Sequence, residues 1–238
     1  MNPSTPKRVL LKLSGEQLAG KFDGGIDAEL CTWIAQEVKK VVDGGTQVVI
    51  MVGGGNYARG AQLAGHGIGR VTADNIGMLA TIMNAVALDD IFNHAGVAAR
   101  ALTNIRTDQV ADSFTHRRAN SHLAKNRVVI VAGGVGRPYF TTDTAAVNLA
   151  LELDCQLVLK ATKVDGVYDK DPAKFDDARK IAQLSFQQAV EDDAIRVMDK
   201  AAMALAMDHK LPIVVFDPMQ PDNILHAASG NSAGTTIS

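Results

Sequence analysis

Short apolar segments that end in small, flexible residues are the feature that most constrains the fold of this chain. Most of these segments are continuous apolar runs, a pattern typical of parallel strands that helices cover on both faces. The predicted strands are Arg8–Leu13, Thr46–Val52, Arg127–Ala132, Gln156–Lys160 and Pro212–Phe216, with Val97–Leu102 as a weaker candidate.

Helical patterns separate the strands. One begins at the capping residue Asp27 and ends before Gly44 and Gly45, as helices commonly do. The full set of predicted helices is Asp27–Asp43, Asp74–His94, Thr142–Leu153, Ser185–Glu191 and Arg196–His209. Because strands alternate with helices, the sequence predicts an α/β fold with a mainly parallel sheet.

Two other segments lead to structural expectations. The helix predicted over 74–94 is apolar nearly all round, so it needs cover on every side, as a subunit interface would give. The polar and charged segment 173–180 is the best candidate for a mobile surface loop.

A ligand site is predicted where three strands end in glycine-rich turns. The first strand runs into Ser14-Gly15, the second into Gly53-Gly54-Gly55-Asn56, and the third into Gly133-Gly134-Val135-Gly136. In an open α/β sheet, ligands bind outside the carboxyl ends of the strands. We therefore expect these turns to converge on one site.

Composition and charge exclude several classes of protein. The chain has 238 residues, of which 47% are hydrophobic and 21% charged, so it can bury a sizeable core. A net charge of −2 argues against a nucleic-acid partner and against electrostatic membrane binding. No amino-terminal apolar region marks a secretion signal, and Cys31 and Cys155 have no metal-ligand spacing. A soluble, cytoplasmic protein with buried packing cysteines is expected.

Phosphate-binding chemistry is the best interpretation of the first two turns. Lys12 lies inside an apolar run, where an ammonium needs a partner or a ligand, although it could simply reach solvent at the strand end. The glycine triplet 53–55 is followed by Arg59, and backbone N–H groups with a guanidinium suit a phosphate. A plain tight turn remains the alternative for the triplet.

The third turn and the loop after the fourth strand add further candidates. In GVGRPYFTTD, Thr141, Thr142 and Asp143 begin a helix, whose amino terminus favours anions. Asp143 is either a capping residue or a carboxylate that holds Lys12. The segment KATKVDGVYDKDP offers Thr162, Tyr168 and Asp171 to an adenine nucleotide, or is a solvated turn. There is no G-x-x-x-x-G-K-[ST], so the chain is not a P-loop kinase.

Six motifs in order make the chain resemble the bacterial uridylate kinases of the amino-acid-kinase superfamily over essentially its whole length. The motifs are LLKLSGE (10–16), GGGN followed by RG (53–60), ADNIGMLATIMNA (73–85), PYFTTDTAA (138–146), LKATKVDGVY (159–168) and MDHKLPIVVF (207–216). The resemblance implies a three-layer αβα sandwich in one domain spanning 1–238. The acceptor-binding part would cover roughly 1–150 and the ATP-binding part roughly 151–238.

The resemblance also implies an activity and residue roles. The expected reaction moves the γ-phosphate of Mg·ATP to UMP, in pyrimidine nucleotide biosynthesis, with Lys12 and Asp143 as catalytic residues. How Mg²⁺ is held stays open, and a hexamer built as a trimer of dimers is expected. The implied ATP-binding residues are Lys12, Leu13, Ser14, Gly15, Gly55, Arg59, Thr162, Tyr168 and Asp171. The implied UMP-binding residues are Gly54, Asp74, Val135, Gly136, Arg137, Pro138, Tyr139, Phe140, Thr141 and Thr142.

Two departures from the family pattern affect the expectations. Val135 and Arg137 replace a threonine and an asparagine on the pyrimidine side, which removes a hydroxyl and an amide. Asp89 and Asn93 stand where an arginine and a histidine of a GTP-responsive site are expected, although Arg100 is retained. Carboxylates repel nucleotide phosphates, so GTP activation is expected to be weak or absent.

Two other functions remain open on sequence grounds. The first is a kinase of the same fold for another small acceptor, which the changes at Val135 and Arg137 favour. The second is a catalytically silent nucleotide-binding protein, against which the presence of both Lys12 and Asp143 counts.

Overall fold

A nine-stranded sheet forms the centre of the molecule in the computed structural model, which describes residues 6–58, 63, 67–170, 172–191, 195, 197–231 and 234–238. The strands are β1 (Arg8–Leu13), β2 (Gln47–Val52), β3 (Ala99–Thr103), β4 (Asp112–Ser113), β5 (Val128–Ala132), β6 (Leu157–Ala161), β7 (Val167–Tyr168), β8 (Lys180–Ile181), β9 (Gln183–Leu184), β10 (Ile213–Phe216) and β11 (Gly234–Ile237). The described helices are α1 (Gly15–Leu18), α2 (Ala28–Asp43), α3 (Arg70–His94), α4 (His116–Leu123), α5 (Thr142–Glu152), α6 (Phe186–Glu191), α7 (Lys200–Asp208) and α8 (Asn223–Ala228).

The sheet is mainly parallel, as predicted. Its strand order is β4-β3-β5-β2-β1-β6-β10-β11-β9, and among these described pairs only β10 and β11 run antiparallel. The remaining strands β7 and β8 form a separate antiparallel pair. The strands that lead into the predicted turns, β1, β2 and β5, are neighbours in the middle of the sheet, so their carboxyl ends share one edge.

Two hydrophobic cores cover the two faces of the sheet, which confirms the three-layer αβα architecture. Alternate residues of β1 point into different cores, because successive side chains of a strand lie on opposite faces. Leu11 and Leu13 belong to the first core, with α2, α3 and α8. Leu10 belongs to the second core, with α4, α5, α6 and α7. This alternation also decides on which face the charged residues of the strands lie.

Most predicted strands and helices are confirmed to within two residues at their ends, and two helix starts differ by four residues. Helix α3 begins at Arg70, four residues before the predicted start. Helix α7 begins at Lys200 because Asp199 caps it by accepting from the N–H of Ala202 at 3.0 Å, so the predicted start at Arg196, itself outside the described residues, is wrong. The elements that were not predicted, α1, α4, α8, β4, β7, β8, β9 and β11, have too few residues to show a clear period in the sequence.

Helix α3 is long and apolar enough, by length and hydropathy, to cross a membrane, and 39% of its most apolar window is buried inside the molecule. It packs on β3, β5 and α2, as a core helix does. Its outer side is not covered by the described chain, since the side chains of Val71, Leu79 and Met83 are 47–52% exposed. The expectation of cover on every side is therefore not met within one chain.

Candidate functional site

Two buried lysines lie side by side at the carboxyl ends of β1 and β6. In the parallel pairing of these strands, Lys12 is the register partner of Lys160. Leu10 and Val158, two residues earlier on each strand, belong to the core beneath α5, so both lysines project toward the same face. They are only 7% and 9% exposed.

The carboxylate of Asp143 holds both ammonium groups. Its Oδ1 lies 2.8 Å from Lys12 Nζ, and its Oδ2 accepts a hydrogen bond from Lys160 Nζ at 2.5 Å. Burial alone would raise the pKa of Asp143, but the charges of Lys12 and Lys160 outweigh it and hold the pKa below its ordinary value. Burial, followed by the charge of Lys12, lowers the pKa of Lys160. These three residues, called the trio below, are Lys12, Asp143 and Lys160. They are largely buried and together carry a net charge of +1.

The amino terminus of α5 brings Asp143 to this point. Thr141 caps the helix, and its hydroxyl oxygen accepts from the N–H groups of Asp143 at 3.1 Å and Thr144 at 3.2 Å. Thr141 and Thr144 both donate to the carboxylate of Asp199, the latter at 2.8 Å. The predicted capping role thus belongs to Thr141, whereas Asp143 faces the lysines. Sequence analysis missed Asp199 as the residue that ties α5 to α7.

The glycine turns of β1 and β2 touch each other. A Cβ on Gly15 would lie 2.6 Å from the N atom of Gly55 and 2.3 Å from Oδ1 of Asn56, so only glycine permits this approach. Asn56 and Asn84 form a reciprocal amide pair, with hydrogen bonds of 2.8 and 2.7 Å, and Asn84 also donates to the carbonyl of Gly53 at 2.7 Å. Helix α3 therefore fixes the glycine turn beside the lysines.

A cavity of about 250 Å³ lies next to the amino terminus of α5, and it is called the acceptor-side cavity here because predicted UMP-binding residues line it. Six of the predicted UMP-binding residues line this cavity: Gly54, Asp74, Arg137, Phe140, Thr141 and Thr142. The other four are placed around it. Val135 packs against the second core, Gly136 passes close to the carbonyl of Asn104, and Pro138 and Tyr139 form the adjoining turn.

A second cavity of about 320 Å³ lies beyond β6 and contains the predicted ATP-side residues Thr162 and Tyr168. The hydroxyl of Tyr168 donates to Asp165 at 2.6 Å, and this bond raises the pKa of Tyr168. The lining of a larger cavity, of about 580 Å³, includes Asp143, Lys160, Asp199 and Met203. Lys160 and Asp143 thus face this cavity.

The remaining predicted ATP-side residues differ in how they can act. Leu13 is fully buried in the first core, so only its backbone can reach a ligand. Ser14 caps α1 and exchanges hydrogen bonds with Gln17 in a capping box. Arg59 and Asp171 lie outside the described residues.

A protein-held magnesium site is not formed by the part of the chain that the structure describes. No group of three or more His, Cys, Asp or Glu side chains there could hold a metal ion. Both oxygens of Asp143 are already engaged by ammonium groups. These donors do not fit a metal site held by the protein.

Sequence analysis missed Lys160 as a site residue. The signal that could have found it is the one that identified Lys12: a lysine at the end of an apolar run that enters a polar loop. Both lysines are also register partners of the same sheet.

Known proteins resemble this chain along nearly its whole length. Residues 7–217 match the amino acid kinase family. A uridylate kinase from Sulfurovum sp. (strain NBC37-1) is 50% identical over 232 residues, which cover 97% of this chain and 98% of the relative.

Two solved structures share the fold. The UMP kinase of Bacillus anthracis has a TM-score of 0.92 at 38% identity, with 98% of this chain and 96% of that chain covered. The UMP kinase of Ureaplasma parvum has a TM-score of 0.91 at 31% identity, with 98% of both chains covered. The chain therefore belongs to the amino acid kinase family and, within it, to the uridylate kinases.

Proposed function

We propose that this chain transfers the γ-phosphate of ATP to UMP, which gives UDP and ADP. The observation that carries the proposal is the Lys12–Asp143–Lys160 trio, which lines the cavity of about 580 Å³ through Asp143 and Lys160 and is next to the acceptor-side cavity through Thr142. The kinship with uridylate kinases supports UMP as the acceptor.

The two lysines would stabilise the charge of the transferring group. In the transfer, a phosphate oxygen of UMP forms a bond to the γ-phosphorus while the bond to the β–γ bridging oxygen breaks and ADP leaves. Such reactions need positioning and charge stabilisation more than covalent help from the protein. Lys12 and Lys160 supply two positive charges that are fixed before the reaction begins. Asp143 holds both ammonium groups in place, because its negative charge offsets the repulsion between them.

The acceptor would occupy the cavity beside α5. Thr141, Thr142 and the amino terminus of α5 suit its phosphate, because a helix amino terminus favours anions. Asp74 suits a ribose hydroxyl, since a carboxylate accepts hydrogen bonds. Arg137 and Phe140 complete the cavity wall and are available to a pyrimidine ring.

ATP would lie across the carboxyl ends of β1 and β6. The backbone of 13–15 and Gly55 would meet its phosphates, together with Arg59, while Thr162, Tyr168 and Asp171 would hold the rest of the nucleotide. Magnesium would arrive with ATP and be held by phosphate oxygens and water. Bound in this way, it would supply positive charge to the phosphates.

Assembly and cellular setting complete the proposal. The exposed apolar side chains Val71, Leu79 and Met83 on α3 suit an interface between copies, and the kinship favours a hexamer built as a trimer of dimers. The acceptor-binding part would span roughly 1–150 and the ATP-binding part roughly 151–238, within one domain. The enzyme would act in the cytoplasm, in pyrimidine nucleotide biosynthesis, without nucleic-acid or membrane partners.

Transfer of a labelled γ-phosphate tests the proposed reaction directly. Purified protein is incubated with γ-labelled ATP, Mg²⁺ and UMP, and the products are separated by chromatography. We expect the label to appear in UDP in equal amount to the ADP formed. Label found only in inorganic phosphate, or no ADP at all, would reject the proposal.

A further inference from the structure

Three residues beside the acceptor-side cavity hold one another through charge, a backbone hydrogen bond and an aromatic ring. Arg70 Nε donates to both oxygens of Asp74, at 2.9 and 2.8 Å. The backbone N–H of Tyr139 donates to Oδ2 of Asp74 at 2.8 Å. The guanidinium carbon of Arg70 lies 5.1 Å from the ring centre of Tyr139. We call these three residues the clasp.

The clasp joins two separate parts of the acceptor-side cavity. Arg70 and Asp74 lie in the first turns of α3, while Tyr139 belongs to the loop between β5 and α5. Arg70, Asp74, Arg137 and Phe140 all line the cavity. The position of the loop relative to the helix therefore depends on contacts that Arg70 and Asp74 make with Tyr139.

Tyr139 adopts a backbone conformation that needs external support. Its φ is +70°, in the left-handed region that non-glycine residues rarely adopt. Its side chain is 64% exposed, so core packing does not hold it there. Within the described residues, Tyr139 is held by its hydrogen bond to Asp74 and by the contact of its ring with Arg70. Backbone outliers of this kind cluster at ligand sites, where the surroundings fix them.

Asp74 can still accept a hydrogen bond from a ligand while Arg70 and Tyr139 hold it. Its two donors from the protein are one N–H of Arg70 and one N–H of Tyr139. Because both oxygens share the N–H of Arg70, these donors use about three of the four acceptor positions of the carboxylate, and about one remains, on Oδ1, for a hydroxyl group of an acceptor. Arg70 therefore fixes the orientation of the carboxylate and leaves an acceptor position open.

We propose that Arg70 is a positioning residue for the acceptor: it orients Asp74 and, through Tyr139, holds the 135–141 loop in its binding conformation. This inference rests on the proposed function and adds a determinant of acceptor affinity. Arg70 lies on the acceptor side and makes no recorded contact with Lys12, Asp143 or Lys160, so its loss affects binding of the acceptor and leaves the transfer step and ATP binding intact.

Steady-state kinetics of Arg70→Ala and Arg70→Lys test the inference. We expect Arg70→Ala to raise the KM for UMP about tenfold, since hydrogen bonds to a charged group are lost, while kcat and the KM for ATP stay within about twofold. Arg70→Lys restores the charge beside Asp74 but not the planar face against Tyr139. Its KM for UMP should lie between those of the wild type and Arg70→Ala.

Lys39→Ala is the matched control, because Lys39 forms an ion pair with Asp43 at the same i,i+4 spacing on α2, at 2.6 Å and far from the cavity in sequence. A role of Arg70 in helix stability alone would make Arg70→Ala and Lys39→Ala behave alike in KM. Equal rises in the KM for UMP and for ATP would also overturn the inference.

A double-mutant cycle with Asp74→Asn separates positioning from an independent contact. If Arg70 acts through Asp74, Arg70→Ala should raise the KM for UMP much less in the Asp74→Asn background than in the wild type. Fully additive effects would overturn the inference. A wild-type protein that leaves UMP unphosphorylated would instead reject the proposed function, and the inference with it.

Discussion

Three largely buried charged side chains meet at the carboxyl ends of β1 and β6, and their charge balance is the basis of the chemistry proposed. One carboxylate between two ammonium groups leaves one positive charge uncompensated. A buried charge is costly without a partner, so the trio is stabilised further when an anionic phosphate arrives. The site is therefore prepared for an anion before the nucleotide binds.

Replacing Lys12 or Asp143 by alanine tests this balance. Either variant should lower kcat by about 100- to 1000-fold, the effect typical of removing one group that stabilises developing charge. The measurement is the initial rate of ADP formation at saturating ATP and UMP, with circular dichroism to show that the fold persists. Asp43→Ala, which removes an exposed carboxylate paired with Lys39, is the control and should keep the wild-type rate. A near-normal kcat in either variant would contradict its catalytic role.

The lowered pKa of Lys160 predicts how activity depends on pH. Burial and the charge of Lys12 disfavour its charged form, so folded Lys160 loses its proton below the ordinary value of 10.5. As pH rises through the folded pKa, one ammonium of the trio is lost in the free enzyme, and kcat/KM should fall at a pH below 10.5. Over the same window stability gains from this group, because the unfolded chain binds more protons than the folded one. A pH profile of kcat/KM, with melting curves as a control for unfolding, measures this, and a flat profile up to pH 10.5 would contradict it.

At the residue level, the sequence predicted which charged groups would meet, whereas their roles in catalysis stay predictions. Lys12 and Asp143 were predicted together and the structure brings them to 2.8 Å. Lys160 was missed because its role depends on strand register and on a carboxylate contributed by another element, neither of which a single sequence displays. The sequence itself shows that Val135 and Arg137 replace a threonine and an asparagine. It does not show the clasp at Arg70, because the clasp depends on the backbone conformation of Tyr139.

At the scale of elements, the site depends on how closely the glycine turns approach each other. The turn after β1 and the turn after β2 nearly touch, and the Asn56–Asn84 pair holds the second turn against α3. This packing leaves backbone N–H groups at the edge of the sheet, next to the lysines, where a phosphate can approach.

Gly15→Ala tests the close approach. The new Cβ would meet Oδ1 of Asn56 at 2.3 Å and the N atom of Gly55 at 2.6 Å, so the two turns must move apart. We expect a loss of stability of about 1–3 kcal/mol, as overpacking typically gives, and a raised KM for ATP. Gly69→Ala is the control, because its added Cβ meets no atom within 4 Å. Unfolding in urea and steady-state kinetics measure both effects, and equal behaviour of the two variants would contradict the account.

Elements with a strong apolar pattern were predictable and elements without one were not, for a physical reason. The strands β1, β2, β5, β6 and β10 are buried on both faces, so each gives a continuous apolar run in the sequence. The start of α7 depends on Asp199, whose carboxylate binds Thr141 and Thr144 of a distant helix. Tertiary contacts of this kind set the end of a helix at a residue that local sequence propensity does not predict.

At the scale of the whole molecule, the region around Asp89 bears on regulation. A cavity of about 200 Å³ is lined by Asp89, Asp108 and Asp112 with Arg100. Asp89 accepts from the N–H of Ala101 at 3.2 Å and from Asn93 at 3.3 Å. Three carboxylates facing one arginine disfavour a nucleotide phosphate.

A GTP titration tests this electrostatic argument. We expect less than about twofold activation at subsaturating ATP, because the carboxylates repel the phosphates. Asp89→Asn removes one charge from the cavity without changing its shape and serves as the comparison. Several-fold activation of the wild-type protein would contradict the expectation.

The central claim, transfer to UMP by this site, is tested most directly by ADP release with Mg·ATP against UMP, CMP, dUMP, AMP and GMP. The account predicts a strong preference for UMP, with Arg137 and backbone groups reading the base in place of the missing threonine and asparagine. Comparable rates with CMP, or no reaction with UMP, would contradict it and would mean that Val135 and Arg137 have changed the acceptor.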